Sequence, residues 1–394
     1  MRILMISGTA GRASAGDTIH TLELAGALAA SGARVTLVMR GIRPLAGRGG
    51  LRVVVVPALR SKLADMLARP VLFGLAALWL AARSKYDAAY IRDSVFEMPV
   101  VKMLGLIGLP VLLEINAVTS SDLRTGGKEP WKTALASWVQ RKSCRGAGAV
   151  LPVTTTLACW LRGMGVPAER VAVVPNGVNP GLYYPVDRKD AMAALGLDPL
   201  RRYFCFAGNL AAWQGGGMVI EAFARLARRY SDIGLLVVGD GSERGRLEKQ
   251  AAGGHGKIVF TGVVPYHRVP VYINACVAGI GGGWQKDNQM LRQRYALTGS
   301  SALKVFSYLA CAVPVIIPDI PDLAAAVRRE RCGLVTDAGR VGELEKAMVA
   351  ILEYPGHWTE AGWRGRAFVE REAAWAHRAR RVLSLAVQLK GVQR

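Results

Sequence analysis

Residues 298–319, TGSSALKVFSYLACAVPVIIPD, set two hydroxyls, Ser300 and Ser301, just ahead of an apolar stretch that opens on Leu303 and Lys304 and runs on into a strand. The free N–H groups of a helix N-terminus attract anions, so this layout suits a phosphate, and Lys304 adds a cation beside it. The device recurs twice. SGTAGRASAGDTIHTLEL holds Gly8, Gly11 and Gly16 ahead of a helix starting at about Asp17, and FAGNLAAWQGGGMVIEAF carries Asn209, Gln214 and Gly215 into a helix from about Gly217. Glycines let the backbone approach a ligand closely. The first loop lacks the G-x-G-x-x-G spacing of dinucleotide sites, and a plain tight turn stays open as its reading. In VVGDGSERGRLEKQ, Asp240 is expected to do no more than hold a turn. Three helix N-termini facing one crevice would hold a diphosphate.

The elements that must position these loops follow from hydrophobic spacing. MRILMISG is a continuous apolar run ending in glycine, and DTIHTLELAGALAASG after it is apolar at helical spacing: strand, loop, helix. ARVTLVMR, LRVVVVPAL, YDAAYIRD and LPVLLEINAV supply further strands, and GAVLPVTTTLACWLRGMG and ERVAVVPNGV continue the pattern. Strands apolar on both faces and alternating with helices imply a parallel sheet covered on both sides. Residues 176–202, rich in Pro, Gly and charge, break the alternation, which restarts with YFCFAG, IGLLVVGDG, KIVFTG, VAGIGG, VPVIIPD and CGLVTD. The expected fold class is α/β, two doubly wound Rossmann-like domains over 1–185 and 186–365 facing a central cleft. Residues 358–390 read as one long amphipathic helix, so the segment 366–394 is expected to cross back and pack on the first domain. Ligands of such folds bind at the C-terminal ends of strands.

The chain has 394 residues, 51% hydrophobic and 20% charged, enough for two cores of useful size. Its formal charge of +22 calls for an anionic partner. Between Arg40 and Lys85 stand nine basic residues against one acid, Asp65, and within that region lies PVLFGLAALWLAA, residues 70–82. Its length of about 20 Å as a helix falls short of the roughly 30 Å of a bilayer core. Two readings stay open: a core helix, or an apolar face dipping into a headgroup layer beside a basic collar. No nucleic-acid recognition module is present, and nucleic acid is not expected as a partner. Six cysteines without a C-x-x-C pair read as buried small residues in a reducing compartment, and MRILMISGTAG, short in its apolar run and soon broken by glycine, is not expected to act as a secretory signal. A cytoplasmic protein, peripheral on the inner face of the membrane, is the expectation.

In order along nearly the whole chain, VVPNGVNPGLYYP, FAGNLAAWQG, LVVGDGSERGRLE, KIVFTGVVPYHRVPVYINAC, SSALKVFSYLACAVPVI and FVEREAAWAHRARRVLSL resemble the motifs of family-4 retaining glycosyltransferases of GT-B architecture. SSALKVF is similar to the branch whose helix reads S-P-L-K-L-F. The resemblance implies an acceptor-side first domain, a second domain that binds a nucleotide-diphosphate sugar, and transfer with anomeric retention to a lipid-linked or cell-surface glycan. No cofactor is implied. Neither is a metal, and the chain shows no D-x-D and no His/Cys cluster of ligand spacing. Helix N-termini and cations must then neutralise the leaving diphosphate.

Departures from the family pattern fall in the site itself. Asn209 and Gln214 stand where members commonly place an arginine and a lysine, leaving Lys304, Arg292 and Arg294 as candidate substitutes. The paired glutamates of the Glu-x7-Glu signature fall on Gly299 and Ser307, so Ser307 offers one ribose hydrogen bond where a carboxylate offers two. In the first domain Asn116 takes the place of a histidine common in the family. Glu114, two residues before it on a buried strand, needs partners or a job: a site role and capping of the following loop both stay open. His20 is the best-placed histidine, with a role beside donor or acceptor and simple helix packing both open. Two functions follow: an active sugar transferase with Glu114, Asn116 and His20 as catalytic candidates, or a non-catalytic relative that keeps the fold as a nucleotide-sugar-binding or scaffold subunit.

Overall fold

The apolar runs fold as strands and the amphipathic stretches between them as helices, in two units that each hold a six-stranded parallel sheet. The computed structural model describes residues 1–8, 16–41, 49–57, 61–92, 98–125, 127, 129–284, 288–301 and 303–392. Gly11, in the first glycine loop, lies outside them. Unit 1 comprises Met1–Asn176, Ala296–Gly299 and Trp375–Arg394; unit 2 comprises Gly177–Tyr295 and Ser300–Ala374.

The first part of the chain runs β1 (Arg2–Ser7), α1 (Gly16–Ala30), β2 (Arg34–Gly41), β3 (Leu51–Pro57), α2 (Lys62–Arg83), β4 (Ala88–Arg92), α3 (Met98–Leu106), β5 (Val111–Ile115), α4 (Thr119–Thr125), α5 (Pro130–Gly146), β6 (Ala149–Pro152) and α6 (Thr155–Gly163). Its sheet is ordered β3-β2-β1-β4-β5-β6. β5 is buried at every residue and β1 at all but its first, as parallel strands covered on both faces must be. One face is filled by Phe73, Ala77 and Leu80 of α2, Val100, Val101 and Leu104 of α3, and Leu157 and Leu161 of α6.

The second part runs α7 (Arg188–Ala194), β7 (Arg202–Ala207), α8 (Gly216–Leu226), β8 (Ile233–Val238), α9 (Arg244–Ala252), β9 (Lys257–Gly262), α10 (Val269–Asn274), β10 (Cys276–Ile280), α11 (Gln289–Thr298), α12 (Leu303–Ala310), β11 (Val315–Pro318), α13 (Leu323–Glu330), β12 (Gly333–Thr336), α14 (Val341–Glu353), α15 (Pro355–Phe368) and α16 (Trp375–Val392). Its sheet is ordered β12-β11-β10-β7-β8-β9. The segment 176–202 is not purely irregular: Asp187 caps α7, its Oδ1 accepting from the Lys189 amide at 2.8 Å.

The single helix expected over 358–390 is broken. After α15 the chain makes a π-turn at Val369–Ala373, then Ala374 turns extended (φ −74°, ψ 146°) and bridges to Val178, whose N–H donates to the Ala373 carbonyl at 3.0 Å. Pairing with the VVPNGV segment replaces a turn of helix. Arg366 secures the same region of unit 2, donating to the carbonyls of Tyr183 and Ala310, each at 2.7 Å. Within unit 1, α16 packs on α1, and Trp375 meets His20 edge to face at 4.9 Å. No described helix is long and apolar enough to cross a membrane.

Candidate functional site

In unit 1 the register of two parallel strands builds a polar centre. β4 pairs with β5 so that Arg92 stands opposite Glu114, both at the C-terminal ends of their strands. Glu114 is 2% exposed and His20, reaching from α1, is 3% exposed. A carboxylate buried this deeply must be saturated with donors, and it is. Glu114 Oε2 accepts from His20 Nε2 at 2.9 Å and from the Tyr90 hydroxyl. Its Oε1 accepts from the Asn116 amide and lies 3.6 Å from Arg92 Nε. Burial pushes the Glu114 carboxyl up, but the nearby His20, with its hydrogen bond, Arg92 and the Tyr90 hydroxyl outweigh it and hold the carboxyl at about 2. Burial and the facing carboxylate push the Tyr90 phenol well above its usual range.

The structure thus brings Glu114, Asn116 and His20 together. It also withdraws Glu114 and His20 from solvent. The members of the cluster that keep surface are Asn116 and Arg92. Arg92 reaches the first turn of α1, donating to the Asp17 carbonyl at 2.8 Å. Gly16 is the first residue of α1, and a Cβ there would meet nothing within 4 Å, so no close approach requires glycine at that position.

In unit 2 the loops after β7 and β10 meet the first turn of α12. Lys304 Nζ donates to Gln214 Oε1 at 2.8 Å and sits 4.8 Å from the Phe206 ring centroid. Burial pulls its ammonium down to about 8. Among the described residues no carboxylate pairs with it. Gln214, itself buried, closes a short 3-10 turn and hands on to Gly215, in the left-handed region at φ 74°, from which α8 departs. A Cβ on Gly215 would collide with the Trp284 carbonyl, and one on Gly282 with Gln214 Oε1. Only bare backbone lets these two loops close on Gln214 and Lys304. Tyr308, one turn further along α12, fixes the helix to the sheet: its hydroxyl accepts from the Ala207 amide at 2.8 Å and donates to the Ile280 carbonyl at 3.3 Å.

The remaining candidates sit around this centre. Asn209 is exposed on the β7 loop, its Oδ1 beside Gly241. Ser300 and Ser301 precede α12 and are half-buried, the Ser300 amide donating to the Pro321 carbonyl at 3.0 Å. Leu303 opens the helix. Ser307 turns back on its own helix, its hydroxyl donating to the Leu303 carbonyl at 3.1 Å. Arg294 stacks on Trp213 at 5.5 Å rather than joining Lys304. Asp240 holds its turn, accepting from the Gly241 amide at 2.7 Å and from Arg244 at 2.9 Å. Among the described residues no three His, Cys, Asp or Glu gather as a metal would require.

Tyr90, Arg92, Trp284 and Tyr308 were not singled out from sequence. The first two had a signal: YIRD and LLEIN are neighbouring strand ends, and a parallel pairing sets their opposite charges side by side. Tyr308 and Trp284 had none, being aromatic residues in apolar surroundings.

Comparison with known proteins adds an independent line. Residues 16–177 match the family described as glycosyl transferase 4-like domain, and residues 201–354 match glycosyl transferases group 1. A 2-deoxystreptamine glucosyltransferase of Streptomyces kanamyceticus is 24% identical over 95% of this chain and 100% of its own length. Among solved structures, the sucrose-phosphate synthase of Thermosynechococcus elongatus superposes with a TM-score of 0.79 at 18% identity, covering 99% of each chain. Anabaena Alr3699/HepE, solved in complex with UDP-glucose, superposes with a TM-score of 0.73 at 15% identity over 98% of this chain and 100% of its own.

Proposed function

We propose, for a chain that belongs to the GT-B glycosyltransferases, that it moves a hexosyl group from a nucleotide-diphosphate sugar to a hydroxyl of a lipid-linked or cell-surface glycan, retaining the anomeric configuration and needing no metal. The bond from the sugar's anomeric carbon to the diphosphate breaks, the acceptor oxygen bonds that carbon, and its proton leaves. The observation that carries the reading is Lys304. An ammonium drawn down to about 8 by burial, bonded to a neutral amide and paired with no described carboxylate, is an electrostatic debt that a diphosphate settles. The α12 and α8 N-termini and the backbone around Gly215 add N–H donors to the same unit.

Donor identity takes support from HepE, whose structures hold UDP and UDP-glucose. Ser307, Asn209, Ser300, Ser301 and Leu303 are assigned to the donor's surroundings. In unit 1 we assign Glu114 and His20 a positioning role: they hold Asn116 and Arg92, which keep the surface a substrate can touch. A basic, apolar unit 1 supports an acceptor carried at a membrane. A second acceptor class, a small soluble cyclitol, is favoured by the 2-deoxystreptamine glucosyltransferase that aligns along its full length.

The deciding experiment is a transfer and donor-hydrolysis assay on the purified chain with a panel of nucleotide sugars, each with a lipid-linked glycan and with an aminocyclitol as acceptor. Turnover with one donor is expected. A folded protein that binds a nucleoside diphosphate yet turns over none of the panel would favour the non-catalytic scaffold instead.

A further inference from the structure

The outer side of the helix layer on unit 1 is built against the usual rule for a surface helix, which puts charge towards water. α2, α3 and α5 lie side by side, α3 in the middle: Gly74 of α2 abuts Met103, and Gly146 of α5 abuts Val101. Their inner faces fill the core. On the outer face of α2 stand Val71, Leu75 and Trp79, each about half exposed, at successive helical turns. α5 repeats the stripe with Trp131, Leu135 and Trp138, and α3 ends on Leu106, which is 88% exposed. Such a concentration of large apolar side chains marks a surface that something covers.

Charge tells what covers it. The three helices carry eight basic residues, three on α2, one on α3 and four on α5, against one acid. That acid, Asp65, is buried and held by Arg40 at 2.8 Å and Arg69 at 2.9 Å. Arg83 stacks on Trp79 at 4.1 Å and Lys132 on Trp131 at 5.1 Å, while Arg141, Lys142 and Arg145 continue the exposed side of α5 beyond Trp138. Tryptophan rings in this setting are suited to a headgroup layer, and long cationic side chains to the phosphates around it. A second copy of this chain would bring the same cations face to face, which disfavours self-association.

We infer that the outer faces of α2, α3 and α5 dock on an anionic lipid bilayer, the apolar side chains entering the headgroup layer and the Lys and Arg residues binding lipid phosphates. The inference stands whether or not the chain transfers sugar, since it rests on a face distinct from Gln214 and Lys304.

Sedimentation with vesicles tests it. The full chain is mixed with vesicles of phosphatidylcholine alone or of phosphatidylcholine and phosphatidylglycerol in equal parts, beside Trp131→Ser/Trp138→Ser and Arg141→Gln/Lys142→Gln/Arg145→Gln. These are exposed positions, and circular dichroism checks that each variant folds. Binding to the mixed vesicles and weak binding to the neutral ones is expected. The tryptophan variant should lose about tenfold or more in partition, and each neutralised charge about fivefold, with salt weakening the wild type. Equal partition of the wild type onto both vesicles, or unchanged partition of the tryptophan variant, would overturn the inference. A wild-type dimer that the tryptophan variant dissociates would overturn it too, by giving the face to a second copy.

Discussion

Replacing Glu114 by glutamine isolates the charge at the centre of unit 1. Folded, the carboxyl sits at about 2 against an ordinary 4.5, because His20, Arg92 and Tyr90 together outweigh the upward push of burial. At about 1.4 kcal/mol per pH unit, a gap of about 2.5 corresponds to about 3 kcal/mol of stability at neutral pH. The folded value lies below the unfolded one, so that contribution is present above about 4.5 and drains away as pH falls from there towards 2. Glu114→Gln keeps the shape but turns one acceptor into a donor among groups that themselves donate, so a loss of about 3 kcal/mol at pH 7 is expected. A chain of two units need not unfold in one step, so the readout is hydrogen exchange at the β4 and β5 amides, which open with unit 1. Wild-type protection should fall between about pH 4.5 and pH 2, whereas the variant should begin lower and stay nearly flat. Equal protection of the two at pH 7, or parallel curves in acid, would refute the argument.

Other consequences are checked more briefly. Nucleoside-diphosphate affinity should weaken as pH rises through about 8, where Lys304 loses its proton, and Lys304→Met should abolish that dependence in calorimetric titrations. Gly215→Ala must move a left-handed residue and a Cβ lodged against the Trp284 carbonyl; a loss of about 2 kcal/mol in unit 2, with weaker donor binding, should appear in urea unfolding and titration. Tyr308→Phe leaves the buried Ala207 amide without its acceptor, costing about 1–3 kcal/mol in the same unfolding experiment.

The α/β alternation was legible because a strand covered on both faces advertises itself as an unbroken apolar run, as β5 and β8 do. The break inside the last helical stretch was not. VEREA contains neither proline nor glycine and favours helix locally, and what interrupts it is a bridge to Val178, almost two hundred positions earlier in the chain. Nearness was equally hidden for Tyr90, whose contact with Glu114 depends on which strands neighbour each other. Glu114 itself was legible as a buried acid, and its partners follow once β4 and β5 are paired. For Ser307 the aligned position suggested a nucleotide, whereas the hydroxyl's own hydrogen bond goes to the Leu303 carbonyl: a position in a motif fixes the backbone, and neighbours decide where the hydroxyl turns.

The claim on which the functional account rests is that the Lys304 ammonium, unpaired with any described carboxylate, neutralises a donor's diphosphate. Calorimetric titration of uridine diphosphate into the wild type and Lys304→Met at pH 7 measures it directly. Removing a charge-assisted contact worth about 1.5–3 kcal/mol should raise Kd by roughly ten- to a hundredfold while the fold persists. Equal Kd for the two proteins would contradict it.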